Sequence, residues 1–399
     1  MSDHAVSALE TRFLHSIADI DAARWDALAG TDYPFLRHAF LHALEHSGCV
    51  TAERGWQPLH LVIERAGLPV ACLPLYAKSH SMGEYVFDWS WADAYSRHGL
   101  DYYPKLLSAI PFTPCPGPRF MVAPGEDSNQ LLQHAQRHIR QLAKRIDASS
   151  WHLLLPDEAL RKQLGEADLL LRSGCQYQWF NDDYRDFDHF LESFSSRKRK
   201  NLRKERSRVA DAGIHFELLA GDAITPEHWA CFYRFYRSTY LVRGRAPYLN
   251  EDFFRQLGQA MPDALLLVLA RKDDTYIAGA LCFRGADTLY GRYWGCTEEY
   301  QFLHFETCYY QGIEYCIRHG LRRFDSGAQG EHKIQRGFQP VITYSAHWIR
   351  HPDFARAIAA FIEDESRYIT EYQEQATAYL PFRKDLQLGP DGGTESPAD

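Results

Sequence analysis

A glycine-punctuated loop late in the chain gathers residue types that can catalyse acyl transfer. Its five candidates follow a short apolar strand signal: Asp325, Glu331, His332, Lys333 and Arg336. Acyl transfer to an amine requires a base that removes a proton, and positive charge or N–H donors that stabilise the oxyanion. Glu331 or His332 could be the base, and Lys333 and Arg336 could stabilise negative charge or bind phosphate. We therefore predict a catalytic set here, with an exposed polar loop as the alternative.

A second cluster is strongly basic. Eight of the twelve residues from Arg197 to Arg208 are Lys or Arg, and only Glu205 offsets them. Like charges one turn apart weaken a helix, so an anion that neutralises the segment would explain it. Arginine forks suit phosphate oxygens. The residues predicted to bind the phosphates of a carrier are Arg197, Lys198, Arg199, Lys200, Asn201 and Arg203. The charge run alone does not distinguish tRNA, the phosphates of CoA and a lipid pyrophosphate, and a solvated surface helix is the alternative.

Other polar and aromatic residues are candidates for a substrate groove. His304 and Glu306 open the helix that precedes the catalytic loop, but residues two apart do not share a helical face. A loop between two predicted helices adds three more candidates, and the glycine-rich loop adds one. The predicted substrate-binding residues are His304, Glu306, Tyr240, Arg243, Tyr248 and Gln329.

Hydrophobic periodicity predicts an α/β chain with mixed sheets. Closely spaced strands followed by one crossover helix favour a mixed α+β sheet over a doubly wound parallel one. In the first half we expect strands at Leu59–Glu64, Val70–Tyr76, Glu84–Trp89 and Trp151–Leu155, with helices at Ala39–His46, Ser128–Ile146 and near Tyr102–Ser108. In the second half we expect strands at 215–219, 264–271, 277–284, 289–295, 323–326 and 342–349, with helices at about 188–212, 226–241, 250–260, 304–319 and 352–377.

The two halves share this order of elements, which indicates a weak internal repeat. The pairs Tyr102-Tyr103 and Tyr309-Tyr310 fall at comparable offsets in the two halves. We therefore predict two modules, residues 1–180 and 181–385, followed by a disordered tail at 386–399. Two unrelated α/β domains are the alternative.

The composition is that of a globular protein and excludes several classes. The 399 residues are 45% hydrophobic and carry a net charge of −8, so no global positive field attracts nucleic acid. Nine scattered cysteines show neither CxxC nor metal-ligand spacing, which indicates reduced thiols and no metal site. No signal segment and no apolar run long enough to span a membrane is evident, so we expect a cytoplasmic protein.

Three motifs together resemble the FemAB-like bacterial family of peptidoglycan biosynthesis/recognition proteins, which is grouped with GNAT-type N-acyltransferases. They are Ser195-Ser-Arg-Lys-Arg-Lys-Asn-Leu-Arg-Lys-Glu-Arg206, His304-Phe-Glu306 with Tyr309-Tyr310, and Gly327-Ala-Gln-Gly-Glu-His-Lys333 with Arg336-Gly-Phe-Gln-Pro340. The resemblance implies two tandem GNAT-like domains, with the site in the second. Lys333 stands where the family carries a site lysine. The acetyl-CoA pyrophosphate loop of ordinary GNAT enzymes and the helical arm of some Fem enzymes are both missing.

The resemblance also implies the reaction. In Fem transferases the donor is an aminoacyl-tRNA and the acceptor is a peptidoglycan precursor. The hypothesis is therefore an N-acyltransferase with no tightly bound cofactor, which takes aminoacyl-tRNA or acyl-CoA as donor co-substrate and an amine as acceptor. The alternatives are a non-catalytic module that binds a phosphorylated cell-wall precursor, and an RNA-binding protein with a degenerate transferase fold.

Overall fold

The structure is a computed structural model that describes residues 8–328, 330–384, 387–388 and 394–395. Its strands are β1 (Leu9–Leu14), β2 (Trp56–Pro58), β3 (His60–Arg65), β4 (Leu68–Leu73), β5 (Tyr76–Lys78), β6 (Lys105–Ser108), β7 (Met121–Val122), β8 (Ser150–Leu154), β9 (Leu170–Phe180), β10 (Ile214–Ala220), β11 (Leu265–Lys272), β12 (Thr275–Arg284), β13 (Thr288–Cys296), β14 (Arg323–Asp325), β15 (Gln339–Ile349), β16 (Gln387–Leu388) and β17 (Thr394–Glu395). Its α-helices are α1 (Ala22–Ala29), α2 (His38–His46), α3 (Trp89–Arg97), α4 (Ser128–Arg145), α5 (Glu158–Gly165), α6 (Phe187–Glu192), α7 (Ser196–Asp211), α8 (Pro226–Leu241), α9 (Glu251–Ala260), α10 (Leu303–Phe305), α11 (Gln311–Arg318) and α12 (Pro352–Ala378).

The fold divides into two compact units. Unit 1 comprises residues up to Gly174 together with Thr343–Ile369, and unit 2 comprises Cys175–Ile342 and the residues from Thr370 onward. The stretch 343–369, expected in the second module, lies in unit 1 because Ser345–Ile349 of β15 pair antiparallel with β8. Most of the tail expected to be disordered lies outside the described residues, and β16 and β17 pair antiparallel within it.

Unit 1 contains two sheets. The order β1-β3-β4-β7 is antiparallel throughout, whereas β15-β8-β6-β5-β2 is mixed because β6 and β8 run parallel. Helix α4 packs an apolar stripe that includes Leu131, Ala135 and Ile139 into the core. Its N-terminus is capped by the Asp127 carboxylate, which accepts a hydrogen bond from the Gln130 amide.

A network of charged side chains lies inside unit 1. The Lys105 ammonium is fully buried and donates to Glu84 at 2.8 Å and to Asp88. The Tyr102 hydroxyl donates to the same Asp88 oxygen at 2.6 Å. Buried charges are tolerated only when they are paired and hydrogen-bonded, so this network holds the 79–88 loop against β6.

The network accounts for two wrong sequence expectations. Residues 84–88 form a loop and not a strand, because their acidic side chains turn inward to Lys105. The helix expected near 102–108 is instead β6, which is buried along its whole length. Tyr102-Tyr103 therefore does not lie on a helix, unlike Tyr309-Tyr310.

The helix expected at 188–212 is interrupted between Glu192 and Ser196, where the Ser195 amide donates a hydrogen bond to the Pro381 carbonyl.

Unit 2 contains one mixed sheet with the order β10-β11-β12-β13-β14-β9. Neighbours pair antiparallel except β13 and β14, which are parallel. Apolar side chains of β11, β12, α6 and α11 form its core, with Trp179, Phe190 and Phe324 among the fully buried residues. Across the part of the chain that the structure describes, no helix combines the length and the apolar character needed to span a bilayer.

Candidate active site in unit 2

The two parallel strands of unit 2 separate after a short ladder. Only Thr288–Tyr290 of β13 pair with β14, and β13 continues to Cys296. Helix α8 packs against this extension at Gly295, where a Cβ atom would lie 1.8 Å from the Phe235 carbonyl oxygen. A glycine is therefore required, and the close approach packs the middle of α8 against the end of β13.

The helix after β13 contains a π-helical turn, Glu306–Tyr310, between α10 and α11. Such turns insert one extra residue and are frequent at functional sites. Here the turn directs neighbouring side chains to different partners: His304 and Tyr309 contact His332, whereas Glu306 and Tyr310 contact α7. His304 and Glu306 therefore contact different parts of the site. This agrees with the sequence expectation that residues two apart do not share a helical face.

Two imidazoles and a tyrosine form the first part of the site. The His332 Nε2 atom lies 2.8 Å from the Tyr309 hydroxyl, and the rings of His304 and His332 are 5.9 Å apart. Burial, followed by the charge of His332, lowers the pKa of His304 to about 4. Partial burial, followed by the cations Arg336 and Lys333, also lowers the pKa of His332. Both imidazoles are therefore neutral near pH 7, and His332 is the one exposed to solvent.

Two other predicted catalytic residues hold the loop that follows β14. The Lys333 ammonium is buried and donates to the carbonyl oxygens of Ser326 at 3.1 Å and Gly327 at 2.6 Å. The Asp325 carboxylate is buried and accepts from the Gly327 amide at 2.9 Å. Gln329 lies outside the described residues. These contacts make Lys333 and Asp325 organisers of the loop.

Glu331 lies at the solvent side of the same turn. Its exposed carboxylate accepts a hydrogen bond from the Tyr372 hydroxyl at 2.8 Å. The His332 ring instead lies inside the cluster, within hydrogen-bond distance of the Tyr309 hydroxyl and against the His304 ring. Of the two residues considered for the base, the geometry therefore favours His332.

The basic helix α7 packs directly against this turn. Glu205, its single internal acid, accepts from the Arg336 guanidinium at 2.8 and 2.9 Å and from the Tyr310 hydroxyl. Lys198 donates to the Gln335 side chain. Arg336 in turn lies 3.3 Å from the centre of the Phe305 ring. The two clusters that are distant in sequence are thus adjacent in space.

The cations of α7 divide between an inner and an outer face. Arg197, Lys200 and Asn201 are exposed, and Arg197, Arg199 and Lys200 form no ion pair with any described residue. Arg203 pairs with Asp188 at 2.8 Å, with both side chains largely exposed. The outer face therefore presents unneutralised positive charge for an anion.

A pocket of about 430 Å³ lies beside α7. The Arg206 guanidinium crosses it and pairs with Glu306 at 2.8 Å and with Glu314 at 2.6 Å. Gln311 also donates to Glu306 at 2.7 Å. Burial raises the pKa of Glu306 although Arg206 opposes the shift. Glu306 is thus a satisfied member of a buried ion-pair cluster and does not face the imidazoles.

The remaining substrate candidates lie on the connection between α8 and α9. The rings of Tyr240 and Tyr248 meet edge to face at 5.8 Å, and Arg243 is exposed. The connection reaches the site through β13: Thr239 donates to the Trp294 carbonyl at 3.0 Å, and the Trp294 ring lies 5.2 Å from His304.

Sequence reasoning missed four contributors to the site: Glu205, Arg206, Trp294 and Tyr309. In the sequence, Tyr309 is evident only as part of a tyrosine pair, and Glu205 only as the acid that offsets the basic run. The single acid at a central position of a basic helix was a usable signal, because a lone opposite charge there needs a buried partner.

Comparisons with known proteins agree with this architecture. The C-terminal domain of a protein assigned as a lysylphosphatidylglycerol synthetase from Agrobacterium fabrum superimposes with a TM-score of 0.51 and 12% identity, covering 89% of this chain and 98% of that one. FemX superimposes with a TM-score of 0.52 and 13% identity, covering 88% of this chain and 100% of that one. A tandem GNAT protein from the clavulanic acid biosynthesis pathway has a TM-score of 0.42 and 13% identity, covering 86% and 99%. No curated protein shows significant sequence similarity to the chain.

The chain therefore shares the mixed α/β fold of FemX and of the lysylphosphatidylglycerol synthetase domain. The family model for FemAB-like proteins, described as peptidoglycan biosynthesis/recognition, matches residues 16–384. The chain belongs to the FemAB-like family.

Proposed function

We propose that the protein is an N-acyltransferase that moves an acyl or aminoacyl group from a phosphate-bearing carrier to an amine of a peptidoglycan precursor. The observation that carries the proposal is the direct contact between the basic helix α7 and the turn that holds His332. An anionic carrier bound on the outer face of α7 would bring its acyl end to an accessible, neutral imidazole.

His332 is the proposed general base. If its Nε2–H group donates to the Tyr309 oxygen, the Nδ1 lone pair is left available to accept the proton of the attacking amine. Gly330 lies beside this ring, and a Cβ atom there would come within 2.5 Å of its Cε1 atom. A neutral imidazole suits the role because its lowered pKa keeps it unprotonated at the pH of the reaction.

Arg336 and Lys333 supply the positive charge of the site. Both are buried, and both lie beside His332 in the turn. Because each is held by internal contacts, their field is fixed before substrate arrives, which is the condition for electrostatic stabilisation of a developing oxyanion. Arg197, Arg199 and Lys200 are assigned to the phosphates of the carrier.

The test is transfer by the purified protein, followed by mass spectrometry of an amine acceptor, with aminoacyl-tRNAs and acyl-CoAs as separate donors. His332→Gln should lower kcat by about 10²–10⁴-fold with little change in the KM for the donor. Arg197→Glu with Lys200→Glu should raise that KM and leave kcat nearly unchanged. Lys144→Glu, an exposed cation of α4, is the matched control. Unchanged kcat in His332→Gln would remove the proposed base.

A non-catalytic module that binds a phosphorylated cell-wall precursor is the second candidate. The hydrogen bonds from Lys333 to two carbonyl oxygens of its own loop favour it, because such a lysine stabilises the loop. Binding of a precursor with no transfer from any donor, lost on reversal of Arg197 and Lys200, would support this alternative.

A further inference from the structure

The C-terminal end of α8 and the residues after it form a surface that the proposed chemistry does not use. Arg234, Arg237 and Leu241 are spaced three and four apart and so share one face of α8. Val242, Arg243 and Arg245 follow directly. We call these six residues the α8 corner.

The corner carries concentrated positive charge in an acidic chain. Its four arginines are exposed, and their side chains form no hydrogen bond or ion pair with any described residue. The whole protein has a net charge of −8, so four exposed cations without acidic partners are, like the outer face of α7, a local departure from the overall charge. Such a group attracts a polyanionic surface over about one Debye length.

The corner also exposes two adjacent aliphatic side chains. Leu241 is 54% exposed and Val242 is 88% exposed. Exposed apolar residues scattered singly need no explanation, but an adjacent pair surrounded by unpaired cations is the composition of a membrane-surface element. Single-stranded nucleic acid is bound largely by aromatic side chains that stack on bases, and none of the six corner residues is aromatic.

The corner is continuous with the candidate active site. Ser238 of the same helix end donates to the Cys296 carbonyl at 2.7 Å, and Thr239 donates to the Trp294 carbonyl at 3.0 Å. Trp294 contacts His304 beside the proposed base. The corner and the candidate active site are therefore joined through the end of β13.

From this juxtaposition we infer that the α8 corner docks on an anionic lipid bilayer. The four guanidinium groups bind lipid phosphates, and Leu241 and Val242 enter the boundary between headgroups and acyl chains. This inference goes beyond the proposed function and does not rest on it, because it concerns a surface outside the turn that holds His332.

The test is co-sedimentation of the full chain with vesicles of phosphatidylglycerol in phosphatidylcholine, and with vesicles of phosphatidylcholine alone. The wild type should bind the anionic vesicles and release them as salt is raised. Arg234→Glu with Arg237→Glu should weaken binding by at least about tenfold, and Leu241→Ser with Val242→Ser should weaken it in the same vesicles. The matched controls are Arg145→Glu and Leu68→Ser, exposed in unit 1, with Leu68 at 60% exposure; both should bind like the wild type.

The outcomes separate the surface from the chemistry. Absence of binding to anionic vesicles, or equal losses in the controls, overturns the inference. Binding of single-stranded RNA that the same arginine variants abolish, without vesicle binding, would make the corner a nucleic-acid surface and also overturn it. Transfer to a soluble amine acceptor without vesicles should persist in both corner variants. Vesicle binding by a wild type that transfers no acyl group would support the surface and refute the proposed function.

Discussion

The ion pair between Glu205 and Arg336 joins the basic helix to the turn that carries His332, and the structure predicts what its loss would cost. Side-chain exposure is 16% for Glu205 and 7% for Arg336. The variant Glu205→Gln keeps the shape and one acceptor but leaves the Arg336 charge without its counterion. Removal of one partner of a buried pair typically costs about 3–5 kcal/mol. Because Glu205 is partly exposed and glutamine still accepts a hydrogen bond, we expect about 2–3 kcal/mol.

The same helix provides a matched control. Arg203 and Asp188 form an ion pair of the same length, 2.8 Å, but with side-chain exposures of 54% and 73%. Arg203→Gln should therefore cost no more than about 1 kcal/mol. Urea denaturation measures both changes in the free energy of unfolding, and Glu205→Gln should also lower Tm by roughly 5–10 °C.

A double-mutant cycle with Arg336→Gln isolates the interaction. The two single changes should be non-additive by about 1.5 kcal/mol or more, because the second removes a charge that the first has already left unpaired. Equal costs for Glu205→Gln and Arg203→Gln, or full additivity in the cycle, would refute the argument that this buried pair couples helix and turn.

Three further predictions follow from the contacts described above. Tyr309→Phe should lower kcat by about tenfold and shift the acid limb of the rate–pH profile, with the donor KM unchanged, because the hydroxyl positions His332 without contacting substrate; steady-state kinetics across pH measure both. The folded pKa of His304 lies near 4, below the unfolded value of about 6.5, so its contribution to stability is present above pH 6.5 and is lost as pH falls toward 4, by up to about 3 kcal/mol; denaturation at both pH values should show a smaller loss in His304→Phe. Lys105→Met leaves the buried Asp88 carboxylate without its cation and should cost about 3–5 kcal/mol in urea denaturation. A cost below about 1 kcal/mol would contradict the pairing of Lys105 with Asp88.

The sequence predicted elements well where local signals agree with one another. The helix predicted at 226–241 is α8, because Thr225 caps it, Pro226 occupies its first turn and its apolar residues recur at the helical period. The glycines after β14 and the charge run on α7 likewise predicted a loop and a helix, respectively. Fold class and family follow from patterns of this local kind.

Prediction failed where the decisive partner is distant along the chain. Glu84 and Asp88 flank the strand-favouring run Tyr85-Val-Phe87, but Lys105 draws both acids inward. For the candidate site, the sequence shows His332 and Lys333 in one loop. It does not show that the His332 imidazole is exposed to solvent while the Lys333 ammonium is buried. That distinction depends on Tyr309 and on backbone carbonyls, whose positions only the folded chain sets.

The π-helical turn at Glu306–Tyr310 changes the direction in which side chains point before the turn relative to those after it. An α-helix advances by about 100° per residue, so one inserted residue rotates everything before it relative to everything after it. The segment ending at Phe305 is oriented toward the imidazoles, while Gln311–Arg318 keeps the phase that the core requires. Deletion of a single residue from the turn would leave a well-formed helix of ordinary pitch that aims His304 about a quarter-turn away from His332.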